Sequence, residues 1–304
     1  MTFTSSFRMW RRNLKAHMPY VRRREFKILQ RRHNELIDAM GSAVPATEAR
    51  LDVLKPISER LTAEVCLFVS HASSPLLKPH VRCHIEHLLA EGLKVVLILN
   101  TDLAPSSIII ESELLSQLSG AFIRENIGFD FAAWAHVYSR CEGVTEWTRL
   151  FLVNDSIVGP LSSSNFESVL ERVRRSSADV VGLTESIHPL PHIQSFFLVF
   201  NTAAIRSPVL QLFFRRVLNL PTKDQVIDVY ETRLTQVLRR SGLRCQAIFP
   251  PLSNDPHSAN DTYFQWDDLI RNGFPYIKAS VLFEQGATAK VKALVPNQFL
   301  HPQS

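Results

Sequence analysis

The segment Ala121-Phe-Ile-Arg-Glu-Asn-Ile-Gly-Phe-Asp-Phe-Ala-Ala-Trp134 reads as one strand, turn and helix in succession. Residues 121–124 form a short β-type run, 125–130 a polar turn broken by Gly128, and the small and aromatic residues from Phe131 onward begin a helix. The same alternation recurs on both sides. Upstream, Glu64-Val-Cys-Leu-Phe-Val-Ser70 is a strand, followed by a helix over 79–91 that Gly92 closes. Lys94-Val-Val-Leu-Ile-Leu-Asn100 is the next strand, followed by a short helix over 111–118. Downstream, Arg149-Leu-Phe-Leu-Val153, Asp179-Val-Val-Gly-Leu183 and Ser195-Phe-Phe-Leu-Val-Phe200 read as strands, and 165–175, 208–218 and 224–240 as helices. Continuously apolar strands separated by helices predict an α/β fold with a mostly parallel sheet flanked by helices. Residues 41–60 read as a link, and the stretch from 247 as a Pro- and Gly-rich tail with one helix over 263–271.

The chain has 304 residues, of which 45% are hydrophobic and 21% charged, ample for a core that needs no disulfide or structural metal. No apolar run approaches the roughly 20 residues that cross a bilayer. Charges also interrupt every stretch ahead of Val65, which argues against a cleaved secretory signal. Cys66, Cys83, Cys141 and Cys245 are scattered, as expected of a reduced, cytoplasmic protein. The net charge of +5 is unevenly placed: residues 1–33 carry ten Lys or Arg and one Glu, so the arm holds +9 and the remainder −4. A slightly acidic body argues against a nucleic-acid footprint. Phe3, Phe7, Met9, Trp10, Leu14, Met18, Tyr20 and Phe26 interleave with the arm's charges, which suits an anionic membrane surface; a solvated basic leader is the plainer alternative.

In an open α/β sheet, ligands bind where strands end. Those positions here are Ser70-His71, Asn100-Thr-Asp102, residues 124–130, Asn154-Asp-Ser156 and Thr184-Glu185. No glycine-rich dinucleotide fingerprint or Walker loop follows a strand, so a nicotinamide enzyme and a P-loop phosphohydrolase lose their support. No GxSxG elbow is present either. His80, His84 and His87 share one helical face beside Cys83, a feasible transition-metal arrangement, but without the acid that a hydrolase motif needs.

Several motifs occur in a fixed order: Asn126-x-Gly-Phe-Asp130-x-x-Ala-Trp134, Asn154-Asp-Ser156 with Gly159-Pro160, Gly182-Leu-Thr184, His192-x-Gln-Ser-Phe-Phe-Leu-Val-Phe200, Val226-Ile-x-x-Tyr-Glu231, Trp266-Asp-x-Leu-Ile270 and Tyr276-Ile-Lys278. Over residues 62–285 this set resembles the rhamnan synthesis protein F family, bacterial enzymes linked to rhamnose-containing surface polysaccharides, and more broadly the GT-A-fold glycosyltransferases. The resemblance implies a GT-A-like, Rossmann-related domain over 61–285, a basic arm and linker over 1–60 and a tail over 286–304. It also implies transfer of a sugar, rhamnose from a dTDP-linked donor, onto a glycan or lipid-linked acceptor at the inner face of the membrane. A non-catalytic nucleotide-sugar or glycan-binding protein on the same scaffold is the first alternative, and a nucleic-acid-binding protein using the basic arm is the second.

The resemblance assigns roles residue by residue. Asp155 stands where such enzymes hold a divalent cation, Mg²⁺ or Mn²⁺, against the donor diphosphate. Asn154 and Ser156 flank this single carboxylate, so direct binding of sugar hydroxyls is the other use for it. Arg124, Asn126, Gly128, Asp130, Asn154 and Ser156 are candidates for nucleotide and diphosphate contacts, with Gly128 admitting close approach of a ligand. For Asp130 an N-cap before Phe131 is the structural alternative. His192, Gln194 and Ser195, just ahead of a strand, are candidates for acceptor or diphosphate contacts. Glu231, at the start of a late helix, is the candidate base, with Glu185 as its rival.

Overall fold

The computed structural model describes residues 19–57, 60–187, 190–252 and 260–294. Contacts divide the chain after Ala43 into two units. The first consists, among the described residues, of helix α1 (Pro19–Ser42), whose surface carries Phe26, Leu29, Ile37 and Met40 exposed and an Arg31–Glu35 ion pair one turn apart. Residues 1–18, most of the expected basic arm, lie outside the described residues.

The second unit is organised on a nine-stranded sheet. Its strands are β1 (Leu51–Lys55), β2 (Glu64–His71), β3 (Lys94–Thr101), β4 (Gly120–Glu125), β5 (Arg149–Asn154), β7 (Val180–Ser186), β8 (His192–Ile193), β9 (Phe197–Asn201) and β10 (Cys245–Phe249). The order across the sheet is β1-β4-β3-β2-β5-β9-β7-β10, with β8 pairing β7. Strands β4, β3, β2 and β5 are mutually parallel, as are β7 and β10. The exceptions are β1, antiparallel to β4, β8, antiparallel to β7, and β9, antiparallel to both β5 and β7. The architecture is therefore the expected α/β one, with a mixed rather than wholly parallel sheet. The segment read as a link joins the body, because Leu51–Lys55 caps the sheet edge. The tail likewise begins later than expected, since Cys245–Phe249 is a strand.

Helices cover both faces because the strands are apolar on both. Val81, Ile85 and Leu88 of α2 (Pro79–Ala90) pack with Phe166, Val169, Leu170 and Val173 of α5 (Ser163–Arg175) over Cys66, Phe68, Leu97 and Leu99. Between them in sequence come the short α3 (Ser112–Gln117) and α4 (Phe129–Tyr138). Helix α4 is buried from Phe131 to Tyr138 and packs across β2 and β3, its Trp134 Nε1 donating to the Leu67 carbonyl at 3.0 Å. After β9 the chain runs through α6 (Thr202–Arg206) and α7 (Pro208–Arg215) into α8 (Lys223–Val226), a π turn (Ile227–Glu231) and α9 (Thr232–Arg240). The sequence predicts one continuous helix there; the π turn interrupts it.

A small second sheet pairs β11 (Ile277–Lys278) antiparallel with β6 (Ile157–Val158), setting Lys278 opposite Ile157. Around it, α10 (Asp261–Phe264), α11 (Trp266–Arg271), α12 (Ala279–Phe283) and α13 (Thr288–Leu294) enclose a satellite core of Val158, Leu161, Ile270, Ile277, Val281, Leu282 and Val291. Residues 286–294, expected as a tail, thus contribute a buried Val291 to this core.

One glycine fixes where β8 lies. A Cβ on Gly182 would fall 1.9 Å from Ile193 Cγ2, so the absence of a side chain on β7 admits Ile193 and carries His192 to the sheet's end. Ile193 is β-branched and cannot swing away cheaply. Gly182→Ala should lower the unfolding free energy by about 1–3 kcal/mol. In denaturant titrations the double variant Gly182→Ala, Ile193→Ala should be less destabilised than the sum of the singles by more than about 0.5 kcal/mol.

Candidate active site

A cleft of about 360 Å³ opens where β5, β7 and β8 end and the satellite core begins. Six of the residues expected to act line it: Asp130, Asn154, Ser156, His192, Gln194 and Glu231. They come from four separate parts of the chain. Asp130 stands in the first turn of α4, Asn154 ends β5, His192 belongs to β8, and Glu231 closes the π turn. Ser195, Asn260 and Ser280 add polar groups, and Lys223 and Lys278 add two cations that had no assigned role.

The hydrogen bonds fix these side chains. Asn154 Nδ2 donates to Asp130 Oδ2 at 2.7 Å, while Asn154 Oδ1 accepts from the Ser156 amide and hydroxyl at 3.1 and 2.6 Å. Glu231 Oε1 accepts from the Ser195 amide at 3.2 Å. His192 Nδ1 lies 2.7 Å from the Leu190 carbonyl, a contact that only a protonated Nδ1 can make. In the neutral ring, Nε2 is therefore the bare nitrogen, and it faces Glu231 Oε1 at 3.9 Å. Gln194 is held inside the cleft, accepting from Thr184 Oγ1 at 2.7 Å.

The other expected residues lie outside the cleft. Arg124 does not reach the cleft: it is fully buried, and its guanidinium donates to the carbonyls of Ala46, Glu125 and Ile127 and to Asn219 Oδ1. Burial lowers its pKa to about 10, which still leaves it charged at neutral pH. Gly128 is demanded by packing rather than by a ligand. Its φ is +73°, and a Cβ there would sit 2.6 Å from Asn219 Oδ1 and 2.8 Å from the Asn219 Cα. Helix α4 starts at Phe129 with Gly128 as its N-cap residue, so Asp130 is not the cap. Asn126 lies apart from the cleft, donating to Asp102 Oδ2 at 2.8 Å beside His71.

Asp155 also faces away from the cleft. Its Oδ2 collects Lys78 Nζ at 2.7 Å, Ser70 Oγ at 2.7 Å and the His71 amide at 3.2 Å. This donor set does not fit a resident divalent cation, which wants several hard, anionic oxygens. The one carboxylate is already neutralised by an ammonium group, and among the described residues no three His, Cys, Asp or Glu are grouped to hold a metal. The His80, His84 and His87 helix gives no metal centre either. His84 is a core residue against Phe68 and Tyr276, its Nε2 2.9 Å from the Tyr276 hydroxyl, and burial lowers its pKa to about 3. Glu185, the rival base, pairs with Arg239 at 3.3 Å and does not line the cleft. A larger cavity of about 460 Å³, bordered by Tyr138 and Phe214, has no carboxylate or histidine in its wall.

The profile of the rhamnan synthesis protein F family matches residues 95–298, a span that includes every residue of the cleft. The chain belongs to that family. Among its relatives, the Virulence protein VirA of Vibrio anguillarum is 27% identical over 209 residues, covering 58% of this chain and 66% of that protein. An uncharacterized protein of Sinorhizobium fredii is 27% identical over 221 residues, covering 70% of this chain and 54% of its own length. The chain thus spans about two thirds of the first and about half of the second.

Within this rhamnan synthesis F chain the most perturbed acid of the cleft is Asp130. Burial first, and the charge of Glu231 second, push its carboxyl up to about 6. Lys278 is displaced in the opposite sense, lowered to about 8 chiefly by burial. Opposed displacements of this kind are common where groups are held for chemistry rather than stability. The raised Asp130 value has a signed consequence. Below its ordinary value of 3.8 the folded and unfolded states are both protonated; between there and about 6 the folded state alone keeps the proton, and that advantage disappears as pH rises through 6. Urea unfolding of Asp130→Asn and wild type should therefore diverge with pH, the variant gaining about 1–3 kcal/mol relative to wild type between about pH 4.5 and about pH 7.5. A pH-independent difference would show that the carboxyl is not strained.

Proposed function

We propose that this protein is a glycosyltransferase of GT-A-like design that moves a sugar from a nucleotide-linked donor onto a glycan or lipid-linked acceptor. The observation that carries the reading is the gathering of Glu231, His192, Asp130 and Lys278 around one cleft at strand ends, inside the region matched by a polysaccharide-synthesis family. The family's name makes rhamnose from a dTDP-linked donor the first sugar to try.

In this reading the acceptor hydroxyl oxygen attacks the anomeric carbon, and the bond from that carbon to the phosphate oxygen breaks with its electron pair staying on the diphosphate. Glu231 takes the hydroxyl proton as the new carbon–oxygen bond forms, aided by the bare His192 Nε2 beside it. The Ser195 amide and the His192–Leu190 contact keep both groups aimed. Asp130 and Asn154 present oxygen and amide groups to the sugar hydroxyls.

The test is release of nucleoside diphosphate from dTDP-rhamnose and a panel of other nucleotide sugars, with membrane-extracted lipid-linked glycans as acceptors. Glu231→Gln should lower kcat by about 10²–10⁴-fold while donor binding stays near wild type. Donor binding without turnover in the wild-type protein would replace the enzyme by a nucleotide-sugar-binding protein. The departure of Asp155 from the expected carboxylate pattern is the feature that favours that second reading.

No helix among the described residues is long and apolar enough to cross a membrane. We propose that α1 instead lies on an anionic leaflet at the cytoplasmic face. Phe26, Leu29, Ile37 and Met40 fall on one helical face and are exposed, in a chain segment rich in Arg and Lys. Removal of residues 1–43 should abolish sedimentation with phosphatidylglycerol vesicles and leave turnover of a soluble acceptor intact. Unchanged sedimentation would remove the membrane role.

A further inference from the structure

We infer that Lys278, together with the Ser156 hydroxyl, is the anchor for the donor's diphosphate, so that this protein binds a nucleoside diphosphate without a divalent cation. The inference rests on the glycosyltransferase reading above and names the group that replaces the metal in it.

Two lysines stand on either side of the Asn154-Asp155-Ser156 loop, and they are in different situations. Lys78 is consumed: its ammonium sits 2.7 Å from Asp155 Oδ2, where Ser70 and His71 also donate. The pair is a closed unit, with the acid that would hold a cation already balanced by one built into the chain. Lys278 has no such partner. Its Nζ lies 4.2 Å from the centroid of the Phe196 ring and 3.5 Å from Ser156 Oγ, and among the described residues no carboxylate oxygen comes within ion-pair distance of it. An ammonium group has three donors. A ring face and one long hydroxyl contact leave it short of strong acceptors in a cleft that restricts water.

The backbone holds this ammonium in place. Lys278 pairs with Ile157 across the β6–β11 ladder, and the next amide, that of Ala279, donates to the Ser156 carbonyl at 2.9 Å. The cation and the loop therefore move as one body. Glu231 and Asp130 line the same cleft, which gives it acids to accept a proton and a cation to accept a phosphate. Lys223 lines the cleft as well, but Lys278 is the cation next to the Ser156 hydroxyl.

The experiment is isothermal titration of the full-length protein with thymidine diphosphate and, separately, with inorganic pyrophosphate, each in EDTA and in Mn²⁺. Wild type should bind thymidine diphosphate in EDTA with an affinity within about threefold of that in Mn²⁺, a gap well under one charged hydrogen bond. Lys278→Met, which keeps the packing on Phe196, should weaken binding by about 10–100-fold in both buffers. Lys278→Arg should restore most of the affinity, and thermal melts should show all three proteins folded. Binding by wild type only in Mn²⁺, or undiminished binding by a folded Lys278→Met, would overturn the inference. If pyrophosphate binds through Lys278 in EDTA but no nucleoside diphosphate or nucleotide sugar does, the anion site stands and the glycosyltransferase reading falls. If neither binds wild type in either buffer, both fall.

Discussion

The buried guanidinium of Arg124 is the contact on which the arrangement of the body rests. Its two terminal nitrogens donate to three carbonyls and the Asn219 side chain, its Nε is buried without a hydrogen-bond partner, and among the described residues no carboxylate pairs with it. Those four acceptors lie on three pieces of chain: Ala46 ahead of the sheet, Glu125 at the end of β4 with Ile127 in the turn after it, and Asn219 after α7. Asn219 in turn donates to the Pro45 carbonyl at 2.8 Å. Removing one acceptor from such a buried cation costs about 1.5–3 kcal/mol, because the charged donor facing it is stranded. The turn from β4 into α4 is thereby held at one angle, and Asp130 follows two residues after Gly128. The place of Asp130 in the cleft depends on an arginine that never enters it.

Much of the fold is legible in the sequence because the central strands are continuously apolar and bounded by polar or glycine-containing turns. Strands β2 to β5 and helices α2 and α5 fall within a few residues of where hydrophobic pattern puts them. The reversal of β9 was not legible: Phe197–Asn201 is as apolar as the parallel strands β2 to β5, and direction is set by the connection through β8, which is only two residues long. Leu51–Lys55 was hidden for a different reason. As an edge strand it has one partner and two exposed apolar residues, Val53 and Leu54, so it lacks the buried-strand signature.

At the site, polar residues at strand ends were the informative signal, and they brought six positions to one cleft. The residues that lie outside the cleft share a physical reason for it. A charged or flexible residue in a turn is as well suited to internal bracing as to a ligand, and sequence alone does not separate the two uses. Arg124, Gly128 and Asp155 all serve bracing. Lys278 was the reverse case: it stood in the Tyr276-Ile-Lys278 motif without a role, since its neighbours in space, Phe196 and Ser156, are 82 and 122 positions away. Only the β6–β11 pairing makes the three meet.

The π turn at Ile227–Glu231 has a consequence for how the cleft is assembled. Lys223 and Glu231 are eight positions apart, which in a regular α-helix turns them about 80° away from each other around the axis. A π turn winds less per residue, so it removes most of that angle and lets one helical segment present a cation and an acid to the same side. Both side chains line the cleft. The extra residue works as a phase shift, and a helix of ordinary pitch would have to choose between them.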